Sequence, residues 1–153
     1  MGYWGFMLVL VLIIPCLMIY FGRRFYKKGA PKDINTKFGY RTVRSMQNWY
    51  TWDFAHRYFG KLFSLIGLIM LPVSAALIAA TVKLPLDAQT IIAVIIMAVE
   101  SLVLIVPVVL TESKLKKSFD EKGNRTAESL EAEKKEAEAK QAKEEKKQAK
   151  KKK

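Results

Sequence analysis

Three long apolar blocks constrain this chain of 153 residues more than any other feature. They cover residues 3–21, 62–82 and 90–110; the first two carry no charged side chain, and the third carries only Glu100. Each block is close to the roughly 20 residues that a helix needs to cross the hydrocarbon core of a bilayer. A soluble domain interleaves its apolar and polar residues, so the pattern excludes that class. We therefore predict an all-α integral membrane protein with three transmembrane helices.

The basic residues are segregated as sharply as the apolar ones, and they predict an orientation. Of the 26 Lys and Arg residues, ten lie in residues 22–61, fifteen in residues 111–153, and one, Lys83, between the second and third blocks. Strongly basic loops stay on the cytoplasmic side of a membrane. We therefore expect loop 22–61 and the C-terminal tail in the cytoplasm, with the N-terminus outside. Because basic residues follow the first block rather than precede it, we expect a retained span and not a cleaved signal peptide.

The composition separates a membrane domain from a charged tail. We assign residues 1–112 to the membrane domain and residues 113–153 to the tail, which from residue 127 is almost entirely Ala, Glu, Lys and Gln. These residue types favour helices, but they form no apolar seam for a coiled coil. We expect a solvated tail that is helical or disordered. No aromatic residue interleaves its lysines, so we do not favour a nucleic-acid partner.

Chemistry-bearing side chains are scarce. One cysteine, Cys16, and one histidine, His56, exclude a disulfide framework and argue against a zinc site. The sequence also shows no nucleotide-binding loop, catalytic triad or carboxylate pair. We therefore expect no metal, no cofactor and no enzyme activity, and we expect the lipid bilayer as the first partner.

Glu100 is the only charged residue within the three apolar blocks, and it lies near the middle of its span. A charged carboxylate is expensive at that depth. Ser74 and Pro72 lie at a similar depth in the second block. We hypothesise that a neutral Glu100 donates a hydrogen bond to Ser74 or to a carbonyl exposed by Pro72. Two interpretations stay open: a link between two helices, or a proton or substrate site.

The approach to the second span is rich in aromatic residues, eight of which lie within residues 38–59. Trp and Tyr favour the headgroup level of a bilayer. Ser45 is suited to cap a helix that starts at Met46. On that helix Asp53 and Arg57 are four residues apart, in the order that favours an ion pair. We predict an interfacial aromatic helix here, in the cytoplasmic loop.

The residues around this helix also suggest an anion site. Gly39 permits a positive-φ turn, and Arg41 offers two parallel donors to a phosphate or carboxylate. Thr42 can add a hydroxyl to the same oxygens, and Asn35 can brace the turn. An alternative stays open, in which Arg41 only pairs with lipid phosphate or with the carbonyl end of a span. We expect His56 to be a hydrogen-bonding histidine rather than a metal ligand.

Three segments in this region carry a resemblance to a known family. They are residues 35–42 (NTKFGYRT), 45–48 (SMQN) and 52–62 (WDFAHRYFGKL). Together they resemble the SdpI immunity-protein family, whose hallmark is N-x-x-x-G-[YI]-R-T followed by a Trp-containing helix and a His/Gln-[RK]-x-x-G-K-L run leading into a span. The resemblance covers about residues 3–112. The positions that match are Asn35, Gly39, Arg41, Thr42, Trp52, His56, Gly60 and Lys61.

The resemblance implies a short, three-span protein of the bacterial cell membrane. Its expected role is immunity to a secreted peptide toxin, or signalling by recruitment of a cytoplasmic repressor-type protein. The residues expected to bind a partner or an anion are Asn35, Gly39, Arg41, Thr42, Trp52, Asp53, His56 and Arg57. We expect Arg41, Thr42 and the helix that carries Trp52 and His56 to form one cytoplasmic-face site, and residues 127–153 to be dispensable.

Two further hypotheses come from other functional classes. One is a small transporter or channel subunit that uses Glu100; it requires oligomerisation, because three helices enclose little space for a pore. The other is a lipid-handling membrane enzyme that uses Arg41, Asp53 and His56. A homo-oligomer is compatible with each of these functions, and the sequence does not fix the oligomeric state.

Overall fold

A computed structural model describes residues 2–37, 39–131, 134–135 and 141 of the chain. The predicted all-helical class is confirmed for these residues, which contain no strand beyond a single bridge between Phe119 and Arg125. Their helices are α1 (Gly2–Lys28), α2 (Trp49–Ala80), α3 (Leu86–Val103) and α4 (Ile105–Ser118). The prediction for the charged tail falls mostly outside the described residues; residues 127–131 are helical.

Three helices are long and apolar enough to cross a membrane, as predicted. They are α1, α2, and α3 with α4 taken together as Leu86–Ser118. The predicted blocks lie within them, except that the last two residues of the second block form the turn after α2. Many large apolar side chains on these helices are exposed, including Val9, Ile69 and Leu102. Such faces are suited to lipid chains rather than to water.

Proline divides the third span into α3 and α4. The Val103 carbonyl has no helical donor four residues later, because Pro107 lacks an N–H. Leu104 accordingly forms a turn between the two helices. By contrast, Pro15 and Pro72 lie inside α1 and α2 without ending them. Each proline removes one helical hydrogen bond, but only in the third span is the helix itself interrupted, at Leu104.

Glycines let α1 and α2 approach backbone to backbone. A Cβ atom on Gly60 would lie 2.6 Å from the Tyr26 nitrogen and 2.7 Å from the Gly22 carbonyl oxygen. Two turns further along, a Cβ atom on Gly67 would lie 2.7 Å from the Met18 Cβ atom. Small residues at such crossings are typical of packed membrane helices. The first two spans are thus in direct contact at the end where the loop joins them.

The aromatic helix is not a separate element but the first turns of α2. α2 begins at Trp49 and continues unbroken through the second span. The predicted cap, Ser45, is wrong, because Asn48 caps the helix. The Asn48 side-chain oxygen accepts from the Thr51 N–H at 3.0 Å, and the Thr51 hydroxyl accepts from the Asn48 N–H at 3.1 Å. This reciprocal pair is a capping box, and it satisfies donors that a helix start leaves free.

The helix-linking loop (residues 29–48) covers the start of α2, and the turn after α4 (residues 119–126) closes against it. The Asn48 side-chain amide donates to the Gly123 carbonyl at 2.8 Å, and Gln47 donates to the carbonyl of Glu121. We call the loop, the first turns of α2 and this turn the loop side of the protein. It is an ordered structure at one end of the helix bundle.

Candidate functional site: the loop side of the helix bundle

His56 lies at the centre of the loop side, fully buried, and both of its ring nitrogens are engaged. Nε2 accepts a 2.9 Å hydrogen bond from the Tyr40 backbone N–H, so it carries no proton in this arrangement. Nδ1 lies 2.8 Å from the Trp52 carbonyl oxygen, to which it therefore donates. Gly39, at a φ of 136°, lies against the ring, where a Cβ atom would collide with Nε2. The predicted hydrogen-bonding role of His56 is confirmed.

Trp52 holds a second point of the loop onto α2. Its side chain is fully buried, and its indole N–H donates to the Pro31 carbonyl at 3.1 Å. The ring meets His56 edge to face, with 4.1 Å between centroids. Phe25 of α1 also packs edge to face on His56, with 5.3 Å between ring centroids. Aromatic packing and two side-chain-to-backbone hydrogen bonds thus join α1, α2 and the loop at one place.

Ser45 organises the turn of the loop that precedes α2. Its hydroxyl accepts from the Thr42 N–H at 2.9 Å and donates to the Tyr40 carbonyl at 3.0 Å. The Thr42 hydroxyl in return accepts from the Ser45 N–H at 3.2 Å. The Thr51 hydroxyl, one helical turn into α2, donates to the Ser45 carbonyl at 3.1 Å. The buried backbone groups of this turn are therefore satisfied by short polar side chains.

Other predicted site residues lie at the surface of the loop. The exposed Arg41 donates from Nη1 to the Thr36 carbonyl at 3.1 Å. The Asn35 backbone N–H donates to the Asp33 carboxylate at 2.9 Å. Thr42 is used within the turn, as described above. The predicted residues thus divide into a buried part, which shapes the loop, and a solvent-facing part. That they bind a partner or an anion stays a prediction.

The predicted ion pair between Asp53 and Arg57 is confirmed. Arg57 Nε lies 2.7 Å from one carboxylate oxygen of Asp53. The other carboxylate oxygen accepts from the Ala30 N–H at 3.1 Å. Gly29, at a φ of 70°, ends α1 directly beside this carboxylate. Asp53 therefore fixes the orientation of Arg57 and at the same time holds the start of the loop.

A groove of about 450 Å³ opens beside this ion pair, and we call it the aromatic groove. Trp49 and Tyr50 in its wall are 43% and 74% exposed. Three cations, one of them Arg57, share the groove with a single carboxylate, that of Asp53. Its lining residues are Tyr26, Trp49, Tyr50, Asp53, Phe54, Arg57, Tyr58, Lys61 and Arg125. Aromatic and arginine side chains of this kind are the ones that dominate binding energy at protein interfaces.

Tyr40 forms a second polar contact that the sequence did not suggest. Its hydroxyl donates to the Val108 carbonyl at 3.1 Å and lies 3.5 Å from a Glu112 carboxylate oxygen. Burial raises the pKa of Tyr40 to about 12, and the charge of Glu112 adds to the rise. The phenol therefore stays protonated and able to donate. Arg44 lies 3.9 Å from the other oxygen of Glu112, so α4 is tied to the loop at two points.

The intramembrane pair predicted from depth alone is also present. The Ser74 hydroxyl and a carboxyl oxygen of Glu100 are 2.5 Å apart, which confirms the pairing; Ser74 is placed as the donor, where the prediction had Glu100 donating. Glu100 is only 2% exposed. Its second carboxyl oxygen has no hydrogen-bond partner among the described residues. The polar contact is a single side-chain pair between α2 and α3.

Metal binding finds no support in the described part of the chain. No group of three or more His, Cys, Asp or Glu side chains there could hold a metal ion. His56 has no free ring nitrogen in this arrangement. Cys16, the only cysteine, is exposed on α1, and the only histidine, His56, lies on α2.

Several structural residues were missed by reasoning from the sequence. Asn48 could have been found, because Thr51 three residues later completes a capping-box pattern. The spacing of Gly60 and Gly67 could also have suggested a close helix crossing. The contact of Tyr40 with Glu112 has no local signal, since the two residues are far apart in sequence and meet only in the folded chain.

These features define a class of protein: a helical membrane protein with three spans and one ordered polar end. A family model, described as the SdpI/YfhL protein family, matches residues 32–111 of the chain. That match covers most of the helix-linking loop, all of α2 and α3 and the first half of α4, and the chain belongs to this family. Neither the curated proteins nor the solved structures compared with the chain gave a match.

Proposed function

We propose that this protein binds a polypeptide partner in the aromatic groove, and that this binding gives immunity to a secreted peptide toxin or recruits a signalling protein to the membrane. The groove carries the proposal. It combines exposed aromatic walls with cations around one fixed ion pair, Asp53–Arg57. The proposed function is binding, without a catalytic step.

Rigidity of the groove supports this function. α2 contributes most of the lining residues, and its first turns are fixed to the loop by the buried Trp52 and His56. A binding surface that is ordered before its partner arrives loses less conformational entropy on binding. An arginine held by a carboxylate, as Arg57 is by Asp53, also presents a defined donor geometry. A partner segment with an acidic or carbonyl-rich stretch and apolar side chains would suit this surface.

The proposed orientation places the groove in the cytoplasm, where ten basic residues of the loop segment 22–61 lie. A cytoplasmic signalling protein would reach the groove directly from that side of the membrane. A reporter enzyme fused after Lys153 tests the orientation. Cytoplasmic reporter activity is expected, and activity only on the outer side would contradict the proposed topology.

A survival assay tests the function itself. The full chain is expressed in a toxin-sensitive bacterium, which is then challenged with the secreted peptide toxin that the family's known immunity protein neutralises. We expect expression to protect the cells and Tyr50→Ala to lose most of that protection. Tyr3→Ala is the matched control, because Tyr3 is an exposed tyrosine at the opposite end of the molecule, hydrogen-bonded to Thr90. Protection that is equal in both variants would reject the groove as the binding surface.

A second candidate function, a small transporter or channel subunit, rests on Glu100. A buried carboxyl group with one unpartnered oxygen in the middle of a span is a feature of proton and ion pathways. Proton or ion flux into vesicles containing the purified protein tests it, with Glu100→Gln as the variant. Flux that Glu100→Gln abolishes would favour transport over partner binding. The lipid-handling enzyme hypothesis gains no support, because Asp53 and His56 are both committed to structural contacts.

A further inference from the structure

A second groove lies on α1, distinct from the aromatic groove, and we call it the basic groove. It has a volume of about 610 Å³. Its outer part is lined by four cations, Arg23, Arg24, Lys27 and Lys28, and its inner part by uncharged residues that include Cys16 and Leu71. Leu71 comes from α2, so the groove follows the flank of the contact between the first two helices. It contains no acidic residue.

The four cations have no charge partner in the described part of the chain. The ion pairs there join Asp53 to Arg57 and Glu112 to Arg44. Arg23 with Lys27 and Arg24 with Lys28 are like charges one helical turn apart, a spacing that destabilises an isolated helix. All four side chains are exposed. This end of α1 therefore holds concentrated positive charge that no carboxylate of the described residues balances.

The order of residues along α1 matches the layers of a lipid monolayer. From Cys16 to Lys27 the helix rises about 16 Å, at about 1.5 Å per residue. The apolar block ends at Phe21, and the cations begin two residues later. Tyr20 lies at the boundary with its side chain 64% exposed, as is typical of tyrosines at the headgroup level. The apolar floor of the groove therefore lies at the depth of the acyl chains, and its basic rim lies at the depth of the phosphates.

We propose that the basic groove is a binding site for an anionic phospholipid. The headgroup phosphate binds among Arg23, Arg24, Lys27 and Lys28, and one acyl chain lies along the floor beside Cys16 and Leu71. Arginine supplies two parallel donors to a phosphate, and lysine adds charge at its rim. The occupant is a lipid rather than free phosphate, because the floor below the cations is apolar and faces the bilayer.

Cys16 provides the test, because it is the only cysteine of the chain and it lines the floor of the groove. The full-length protein is labelled there with a small thiol-reactive fluorophore and reconstituted in vesicles with phospholipids brominated on the acyl chain. Bromine quenches the label only on contact. We expect brominated phosphatidylglycerol to occupy the site at least about five-fold better than brominated phosphatidylcholine, since a single cation near an anionic lipid already contributes about 1 kcal/mol, or five-fold. Equal quenching by the two lipids would overturn the proposal.

Two charge variants localise the preference. Replacing Arg23, Arg24, Lys27 and Lys28 together by Gln should bring the ratio close to one. The matched control replaces Lys114, Lys117, Lys122 and Lys134 by Gln, which removes the same charge elsewhere, and should keep the five-fold ratio. Loss of the preference in both variants would assign it to overall charge and overturn the site. Retention in both would overturn the role of the four cations.

Two further arms address the label position and the ligand source. With the label moved to the lipid-facing surface of α3, by Leu102→Cys in a Cys16→Ser background, the two lipids should quench equally. This label-position experiment still tests the site if the four-Gln variant fails to insert into the membrane, because it leaves the four cations unchanged. Inorganic phosphate, compared with sodium chloride at equal ionic strength, should leave the lipid preference at Cys16 unchanged. Displacement by phosphate alone would show a free-anion site and reject the lipid.

Discussion

The loop side and the helix bundle of this protein are held together by different kinds of contact. On the loop side, polar side chains and the ring of His56 bond to backbone groups, some nearby in sequence and some distant, as in the contact of Nε2 with the Tyr40 N–H. In the bundle, glycines bring α1 and α2 into backbone contact at Gly60 and Gly22. Hydrogen bonds between the spanning helices are made by a few isolated pairs, such as Ser74 with Glu100.

The difference follows from the surroundings of the two regions. Irregular backbone in the loop has donors and acceptors that its own secondary structure does not satisfy, so side chains must satisfy them. Spanning helices satisfy their own backbone groups, and lipid offers no hydrophobic driving force for their association, so close packing dominates. Side-chain identity should therefore matter more on the loop side, and side-chain size more in the bundle.

The largest effect is expected for Trp52→Ala. Trp52 is fully buried, and the variant loses both the packing of its ring on His56 and its hydrogen bond to the Pro31 carbonyl. Truncation of a buried aromatic residue lowers the free energy of unfolding by about 3–5 kcal/mol. Reversible unfolding in mixed micelles measures this change. Trp49→Ala is the control, because Trp49 is 43% exposed in the neighbouring helical turn, and its effect should be much smaller. Similar losses would contradict the buried role of Trp52.

A size change should show most clearly at Gly60 in the bundle. Gly60→Ala places a Cβ atom 2.6 Å from the Tyr26 nitrogen, so α1 and α2 must separate. Overpacking of this kind is expected to lower the free energy of unfolding by about 1–3 kcal/mol. Gly5→Ala is the matched control, since nothing lies within 4 Å of the added atom there. A neutral Gly60→Ala would show that the two helices do not meet at their backbones.

Removal of the helix cap should have an intermediate effect. Asn48→Ala loses the hydrogen bonds to the Thr51 N–H and to the Gly123 carbonyl. Loss of an N-cap side chain costs about 1 kcal/mol. The same unfolding measurement applies, with Asn35→Ala as the control in the exposed part of the loop. A larger loss in Asn35→Ala than in Asn48→Ala would mean that the cap lies elsewhere.

The smallest effect is expected for Ser74→Ala, although Ser74 is buried. Hydrogen bonds between spanning helices contribute about 0.6 kcal/mol on average, because the separated helices find other partners. Ser101→Ala is the control, since the Ser101 hydroxyl donates at 2.8 Å to Met97 of its own helix. A loss from Ser74→Ala as large as that from Trp52→Ala would erase the contrast between the two regions.

Prediction from the sequence succeeded for contacts within one helix and for contacts between residues that lie at the same depth in two spans. The three spans follow from apolar length, and the pair of Asp53 with Arg57 follows from their spacing on one helix. Depth alone brought Ser74 and Glu100 together, because two spans of similar length must align. Span length, residue spacing on one helix and depth within a span can all be calculated from the sequence once the rise of a helix is known.

The loop could not be predicted to the same extent. Ser45 and Asn48 are both good capping residues, and the choice between them depends on where the preceding turn directs the chain. The candidate site has the same difficulty. The residues that match the family hallmark include the buried His56 and the exposed Arg41, and the sequence does not separate the two. Their burial is set by the way the loop folds back over α2.

Hydrogen exchange at the Tyr40 amide tests most directly whether the loop side is a preformed structure. This N–H donates to His56 Nε2 at 2.9 Å, within a loop that has no regular secondary structure. We expect the amide to exchange slowly in the wild-type protein, at rates comparable to those of α2. In His56→Ala it should exchange as fast as an unstructured loop, while amides in the middle of α2 and α3 stay protected. Fast exchange at Tyr40 in the wild-type protein would contradict the preformed loop side and the binding surface that depends on it.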